Sequence, residues 1–511
     1  MRVASAALAL LAILLAAPLA SAATTPAVQW GAPFGSIPKP QLETGVKRKI
    51  PATACTCNST GKDYNGPVEF SERGSHSEDW NIVRSYSIKL NDTTKFLGMP
   101  KGQNWALYGP QNDTMGFHDW FGFYLYRLTG NYAARTQYIE LFVTDGLQPV
   151  RYPDDYLGLY LSMEHIDVGK DRVDIAKPTD ADVTGGYILD NEHGKTKQGL
   201  VELPPLNSTI QYMLEYPTKP TQAMHDYILG YLNKFEATLF GPQYADPQSG
   251  WRSLANESSA IDYFLFQARE LIKSNNNGYR GSQRLYKDAK GPLNFGPPWD
   301  FNVNGYQNGG VSNGSSGGSA ISPEGWSFNI CEQPERCTYD PVNGISVWYR
   351  SMWQEPAFKA AVARRFQQLR STVWTDAALT DAVRNIQGYI HDAAMRSFSK
   401  WPADFFNPYA PLQPTAGKSR LLFAVRLQGE AQLQATADKL IQWTTTRLAW
   451  MGAQLQPFLS PGQPADASHS PVASPANSSI AGGPAANAST PNSGSAGGSP
   501  ETVMLLEDGR N

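Results

Sequence analysis

Charge is scarce in this 511-residue chain: 17% of residues are Asp, Glu, Lys or Arg, and the formal net charge is −3. No global field favours a polyanion, so neither nucleic acid nor an anionic membrane surface is expected as a partner. Several catalytic signatures are missing too. The chain has no G-x-x-x-x-G-K-[ST] phosphate loop, no H-E-x-x-H zinc helix, no G-x-S-x-G nucleophile elbow and no H-R-D-L loop. The seven histidines show no metal-ligand spacing. Cysteine is rare, with only Cys55, Cys57, Cys331 and Cys337. Neither C-x-C nor C-x₅-C suits a four-thiolate zinc site, whereas an even count in an oxidising compartment reads as two disulfides. A Cys55–Cys57 bridge would be strained, so cross-pairing to Cys331 and Cys337 is an option, with the connectivity left open by the sequence. Apart from the first residues, no stretch is apolar enough to span a bilayer.

Those first residues, "MRVASAALALLAILLAAPLASAATTP", carry Arg2, a short apolar core broken at Pro18, and Ala20-Ser21-Ala22. They read as a signal peptide over 1–22, and secretion or a secretory-pathway lumen is the expected location. N-x-S/T sequons at Asn58, Asn91, Asn112, Asn207, Asn256, Asn313, Asn477 and Asn487 are acceptors for glycans in a eukaryotic secretory pathway.

Residues 23–60 are rich in Pro and Thr and read as an extended lead-in. Strand patterns follow in "GPVEFSERG", "RSYSIKL", "TQYIELFV", "YLGLYLSMEHI" and "GGYILDNE", with one helix between them in "DTMGFHDWFGFYLYRLTG", opened by Asp113 and closed by Gly130. From about Pro217 the pattern turns helical. Met224, Ile228, Leu232, Phe235 and Leu239 line one face, and Leu433, Leu440, Ile441, Leu448, Met451 and Leu455 another, both reading as core stripes. After Pro457 the composition falls to Ser, Pro, Ala, Gly and Asn. The expected layout is α+β: a sheet-rich lobe over about 61–216, a helical lobe over about 217–456, and a disordered tail over 457–511.

"NFGPPWDFN" (294–302) stands at the seam. Its prolines stiffen the approach to Asp300, and Trp299 can wall a pocket, which suits a carboxylate that holds a hard cation through oxygen. A turn-capping Asp is the plainer reading. Glu164 in "MEHID" ends a strand, where an exposed carboxylate is the default. A glycosidase pair made of Glu164 and Asp300 fits only loosely.

Several blocks occur in one order: "RGS", "RSYSIKL", "MPKGQNWALYGP", "RTQYIELFV", "YLGLYLSMEHIDVGKDRVDIAK", "DVTGGYILD", "NGYRGSQRLYKD", "FGPPWDFN" and "SVWYRSMWQEPAFKAAVARRFQQLR". Together they resemble the CotH family, the spore-coat-protein-H-like, secreted, atypical protein kinases, from about Arg73 to Pro402. The resemblance implies a divergent protein-kinase-like two-lobed fold. It also implies transfer of phosphate from ATP, with Mg²⁺ or Mn²⁺, to serine of extracellular or coat proteins. Asp300 then takes the role of the metal-binding Asp of a DFG segment, and Glu164 that of the acid in the nucleotide cleft. Lys89 is the phosphate-contacting cation, with Arg84 as the alternative. Arg73, Gly74 and Ser75 form the turn of the N-terminal lobe that covers phosphates. One position departs from the pattern. Asn277, in Ser274–Arg280, stands where the catalytic-loop Asp is expected, and an amide cannot accept a proton at neutral pH. Ser282 stands at a second metal ligand and offers only a hydroxyl. That departure keeps a second reading open, a catalytically impaired pseudokinase used as a secreted binding or adhesion module.

Overall fold

The structure, a computed structural model, describes residues 49–58, 61–74, 83–110, 113–144, 150–191, 201–203, 212–267, 282–301, 323–326, 328, 346–401, 422–459 and 503–508. Six strands of the N-terminal half are β1 (Ile50–Asn58), β2 (Gly61–Arg73), β3 (Ser85–Phe96), β4 (Met99–Tyr108), β5 (Thr136–Thr144) and β6 (Tyr156–Glu164). With β12 (Val503–Asp508) they close a barrel in the order β1-β12-β5-β6-β4-β3-β2. Every pairing is antiparallel except the parallel contact of β12 with β5.

Alternation along the strands divides the barrel wall into two faces. Val68, Phe70, Tyr86, Ile88, Trp105, Leu107, Ile139, Leu141 and Tyr160 fill the interior. The outer face of β4 and β6 presents Ala106, Leu159, Leu161 and Met163 to a second, larger core. This second core joins the barrel to the helices, which is why the lobes form one continuous body.

A second sheet, β11-β10-β7-β9-β8, lies in the larger core. It comprises β7 (Tyr187–Asn191), β8 (Val201–Leu203), β9 (Tyr212–Tyr216), β10 (Gln283–Lys287) and β11 (Leu293–Phe295). Its strands come from both sides of the lobe boundary expected at 216/217. The helices are α1 (Phe117–Arg127), α2 (Gln222–Leu239), α3 (Glu257–Gln267), α4 (Ser346–Met352), α5 (Pro356–Ser371), α6 (Asp376–Lys400) and α7 (Leu422–Leu455). The hydroxyls of Thr221 and Thr375 accept the amides of Met224 and Ala378 and so cap α2 and α6. Asp113 caps α1 from one turn earlier, accepting the amides of His118 and Asp119 at 2.9 and 3.3 Å.

Two expected boundaries move. The stretch read as a lead-in holds β1, and the stretch read as a disordered tail holds β12 at its far end. Among the described side chains of β1, Ala52, Ala54 and Thr56 are the buried ones, so its hydrophobic signal is faint. β12 gains its ladder only from β1 and β5, which flank it. The expected signal peptide, Cys331 and Cys337, and the sequons at Asn112, Asn207, Asn313, Asn477 and Asn487 lie outside the described residues. Asn91 is exposed on β3. Asn256 is used by the fold: its amide donates to Asn294 at 2.8 Å and its oxygen accepts the Ser259 amide.

Candidate active site

One face of α1 holds the segment that carries Asp300. Asp119, Gly122, Phe123 and Tyr126 are spaced i, i+3, i+4 and i+7, and so line up along the helix. The Tyr126 hydroxyl donates to the carbonyl of Phe295 at 3.1 Å, just where β11 ends. The next residue must be glycine, because a Cβ on Gly296 would lie 2.6 Å from that hydroxyl and the backbone there has φ of +104°. At the other end, the Phe301 amide donates to Asp119 Oδ1 at 2.7 Å, and the buried Phe301 ring lies on Gly122 with its edge to Phe123. Trp299 packs against Phe123 as well.

Between these anchors Asp300 adopts φ of +70°, the left-handed region that Asp tolerates better than most residues. The strain is on the order of 1–2 kcal/mol, and it turns the carboxylate away from the core that takes Phe301. Ser282, itself at φ +52°, donates its hydroxyl to Asp300 Oδ2 at 3.0 Å.

Two arginines from different lobes approach the same indole. Arg73 ends β2 and Arg284 lies on β10, and each guanidinium carbon is 5.7 Å from the Trp299 ring centroid. Arg284 is held from behind by Glu215 at 2.7 Å and Asp190 at 3.5 Å. Asp190 and Glu215 raise its pKa, although burial by itself would lower it. Burial lowers the pKa of Arg73, as does Arg284 nearby, against the pull of Asp300 and Asp119.

The carboxylates are perturbed in the opposite sense. Asp300 keeps part of its surface open, yet burial pushes its pKa above the ordinary range, and Asp190 adds to this; Ser282, Arg73 and Arg284 offset part of the rise. Burial drives Asp119 well above its usual range, reinforced by the charges of Asp300 and Asp113. Asp119 and Asp300 thus oppose each other's charge, which a bound cation would relieve.

Of the residues expected at a site, Asp300, Trp299, Ser282 and Arg73 come together here. Gly74 follows Arg73 with φ of +137°, while Ser75 and Asn277 lie outside the described residues. Lys89 is on the outer face of β3, opposite Glu69 and Asn104 and four positions along the β2–β3 ladder from Ser85, the partner of Arg73. Arg84 precedes β3, and its carbonyl accepts the Tyr160 hydroxyl at 3.0 Å.

Glu164 differs from the expectation of an exposed strand-end acid, for it is fully buried. It is opposite Trp105 and therefore on the inner face of the barrel wall, away from Lys89. There it accepts the Arg135 backbone and side chain at 3.0 Å each and faces Arg172 at 3.6 Å. Asp119 and Arg284 were not anticipated. The signal for Asp119 is the helical spacing that joins it to Gly122 and Tyr126. Arg284, on a short strand, leaves no such trace.

Asp119 and Asp300 provide oxygen donors of the kind that hold Mg²⁺ or Mn²⁺, which binds one or two carboxylates and completes its shell with phosphate oxygens and water. Among the described residues no group of three or more His, Cys, Asp or Glu gathers around a point.

A barrel lobe and a helical lobe, with a strained Asp between them at the end of a β-hairpin, define an atypical protein-kinase-like protein of the α+β class. The CotH kinase protein family matches residues 70–451, and the chain belongs to that family. No curated protein matches the sequence. β1 and β12 both fall outside the matched span, so barrel closure uses strands that flank the family's core.

Proposed function

We propose that the protein transfers the γ-phosphoryl group of ATP to serine hydroxyls of extracellular or coat proteins, with Mg²⁺ or Mn²⁺ as cofactor. The observation that carries this reading is Asp300, held at φ +70° within the fields of Asp119, Arg73 and Arg284. In the transfer a serine oxygen bonds to the γ-phosphorus, the bond to the bridging oxygen of ADP breaks, and the hydroxyl proton leaves to solvent or a base. The transition state is loose, so positioning and charge stabilisation do most of the catalysis. Asp300 and Asp119 would hold a divalent ion bound with ATP, which would supply charge neutralisation there. Ser282 orients Asp300, and Trp299 walls the site against water.

Asn277 cannot take the serine proton, so turnover is expected to be slow rather than absent. The same residue favours a second reading, a nucleotide-binding pseudokinase that serves as a secreted binding or adhesion module. Secretion through the N-terminal signal, and tying of β1 through Cys55 and Cys57 to Cys331 and Cys337, belong to both readings. No helix among the described residues is long and apolar enough to cross a membrane.

Incubation with γ-labelled ATP, Mn²⁺ and a serine-rich acceptor such as casein, beside an Asp300→Ala control, tests the proposal. Label in acceptor serine with wild type only supports transfer. ATP binding without transfer at high enzyme concentration supports the pseudokinase, and label transfer undiminished in Asp300→Ala refutes the assigned site.

A further inference from the structure

Buried charged donors without an acceptor are costly and rare. Arg73 and Arg284 each have one: the Nη1 atom of both is buried and makes no hydrogen bond among the described residues. The side chain of Arg284 is only 7% exposed. Its Nε and Nη2 are taken up by Glu215, at 2.7 and 3.3 Å, so Nη1 is the edge left over. Arg73 arrives from the barrel lobe at the same 5.7 Å from the Trp299 centroid as Arg284 from the helical lobe. Two guanidiniums that repel each other over one indole, beside Asp300, are arranged for an anion that spans the lobes.

We infer that Arg73 and Arg284 are the phosphate-binding cations of this site, closing from the two lobes on the terminal phosphates of a nucleoside triphosphate. This rests on the nucleotide reading above and names the residues that hold its phosphates. Lys89 is not one of them. It lies on the same outer face as Arg73 but far along the ladder, and Glu164, the acid with which a strand lysine would be expected to pair, points to the opposite side of the wall. The arginine fork also explains why Glu215 and Asp190 accompany Arg284: they fix its plane and leave one edge for phosphate.

The test measures equilibrium binding of ATP, adenosine and inorganic tripolyphosphate to the full chain with Mg²⁺, using wild type, Arg73→Gln, Arg284→Lys and Lys89→Gln. Each variant is first checked for a cooperative thermal transition. Loss of one charge-assisted contact should weaken ATP and tripolyphosphate about 10- to 100-fold in the arginine variants and leave adenosine unchanged. Lys89→Gln should bind all three as wild type does. If Arg284→Lys fails to fold, Arg73→Gln decides, because no ion pair in the fold depends on it among the described residues. Wild-type affinity in Arg73→Gln, or loss confined to Lys89→Gln, overturns the inference. Tripolyphosphate binding without ATP binding, still lost in Arg73→Gln, keeps the arginine pair and refutes the nucleotide reading. A wild type that binds neither overturns both.

Discussion

Replacing Gly122 with alanine should destabilise the protein, although helix propensity alone argues the reverse. In a helix interior Ala is favoured over Gly by about 1 kcal/mol. At this position the new Cβ would lie 2.4, 2.6 and 2.8 Å from three carbons of the Phe301 ring. That ring is 1% exposed and stands edge-on to Phe123 and Phe266, at 5.4 and 5.3 Å between centroids, so these two rings limit how far it can shift. Overpacking of this kind costs about 1–3 kcal/mol, and with three contacts this short the upper part of that range applies. The net loss is therefore about 1–2 kcal/mol. Any relief by moving Phe301 pulls on its amide, which Asp119 holds at 2.7 Å, and so disturbs the neighbouring Asp300. Urea denaturation of Gly122→Ala, Phe301→Leu and the double variant measures the coupling. The double variant should lose less than the sum of the singles, since leucine vacates the volume the new methyl needs. A Gly122→Ala protein as stable as wild type, or more so, would refute the packing of Phe301 on α1.

Glu164→Ala should cost about 3–5 kcal/mol in chemical denaturation, because Arg172, 3% exposed, and Arg135 lose their buried acid. Unchanged stability with lost ATP binding would instead place Glu164 in the nucleotide cleft. Truncation after Leu459 removes β12 and leaves the ladders of β1 and β5 unpaired on one side, so amide hydrogen exchange in both strands should speed up and a peptide spanning 501–509 should restore protection. Exchange identical to the full chain would show that the barrel does not need its last strand. Burial lowers the Lys400 pKa to about 8, against the charges of Asp154 and Asp155. Between that value and the ordinary lysine range the unfolded chain binds more protons than the folded one. This group's contribution to stability therefore grows as pH rises through the window, and Lys400→Gln should flatten that slope in melts taken from pH 8 to 10. An unchanged slope would remove Lys400 as its source.

The sequence by itself determined the elements that carry a strong local period. β2, β3 and β6 show alternation, β5 is a short run rich in aromatic and β-branched residues, and α2, α5 and α6 show apolar stripes with threonine or proline starts, so each is legible without knowing its neighbours. The stiff approach to Asp300 was legible for the same reason, because Pro297, Pro298 and Trp299 act on the backbone next to them. What lies far apart along the chain was decided only by tertiary structure. β12 becomes a strand because β1 and β5 leave it a place. Glu164 looks like a surface acid until Arg135 and Arg172 surround it. Asp119 and Arg284 become site residues because α1 and β10 bring them to Trp299 and Asp300 from positions that share no local pattern. Local periodicity reports which face of an element is apolar; it holds no information about which distant charge will face which, and in this protein that pairing makes the site.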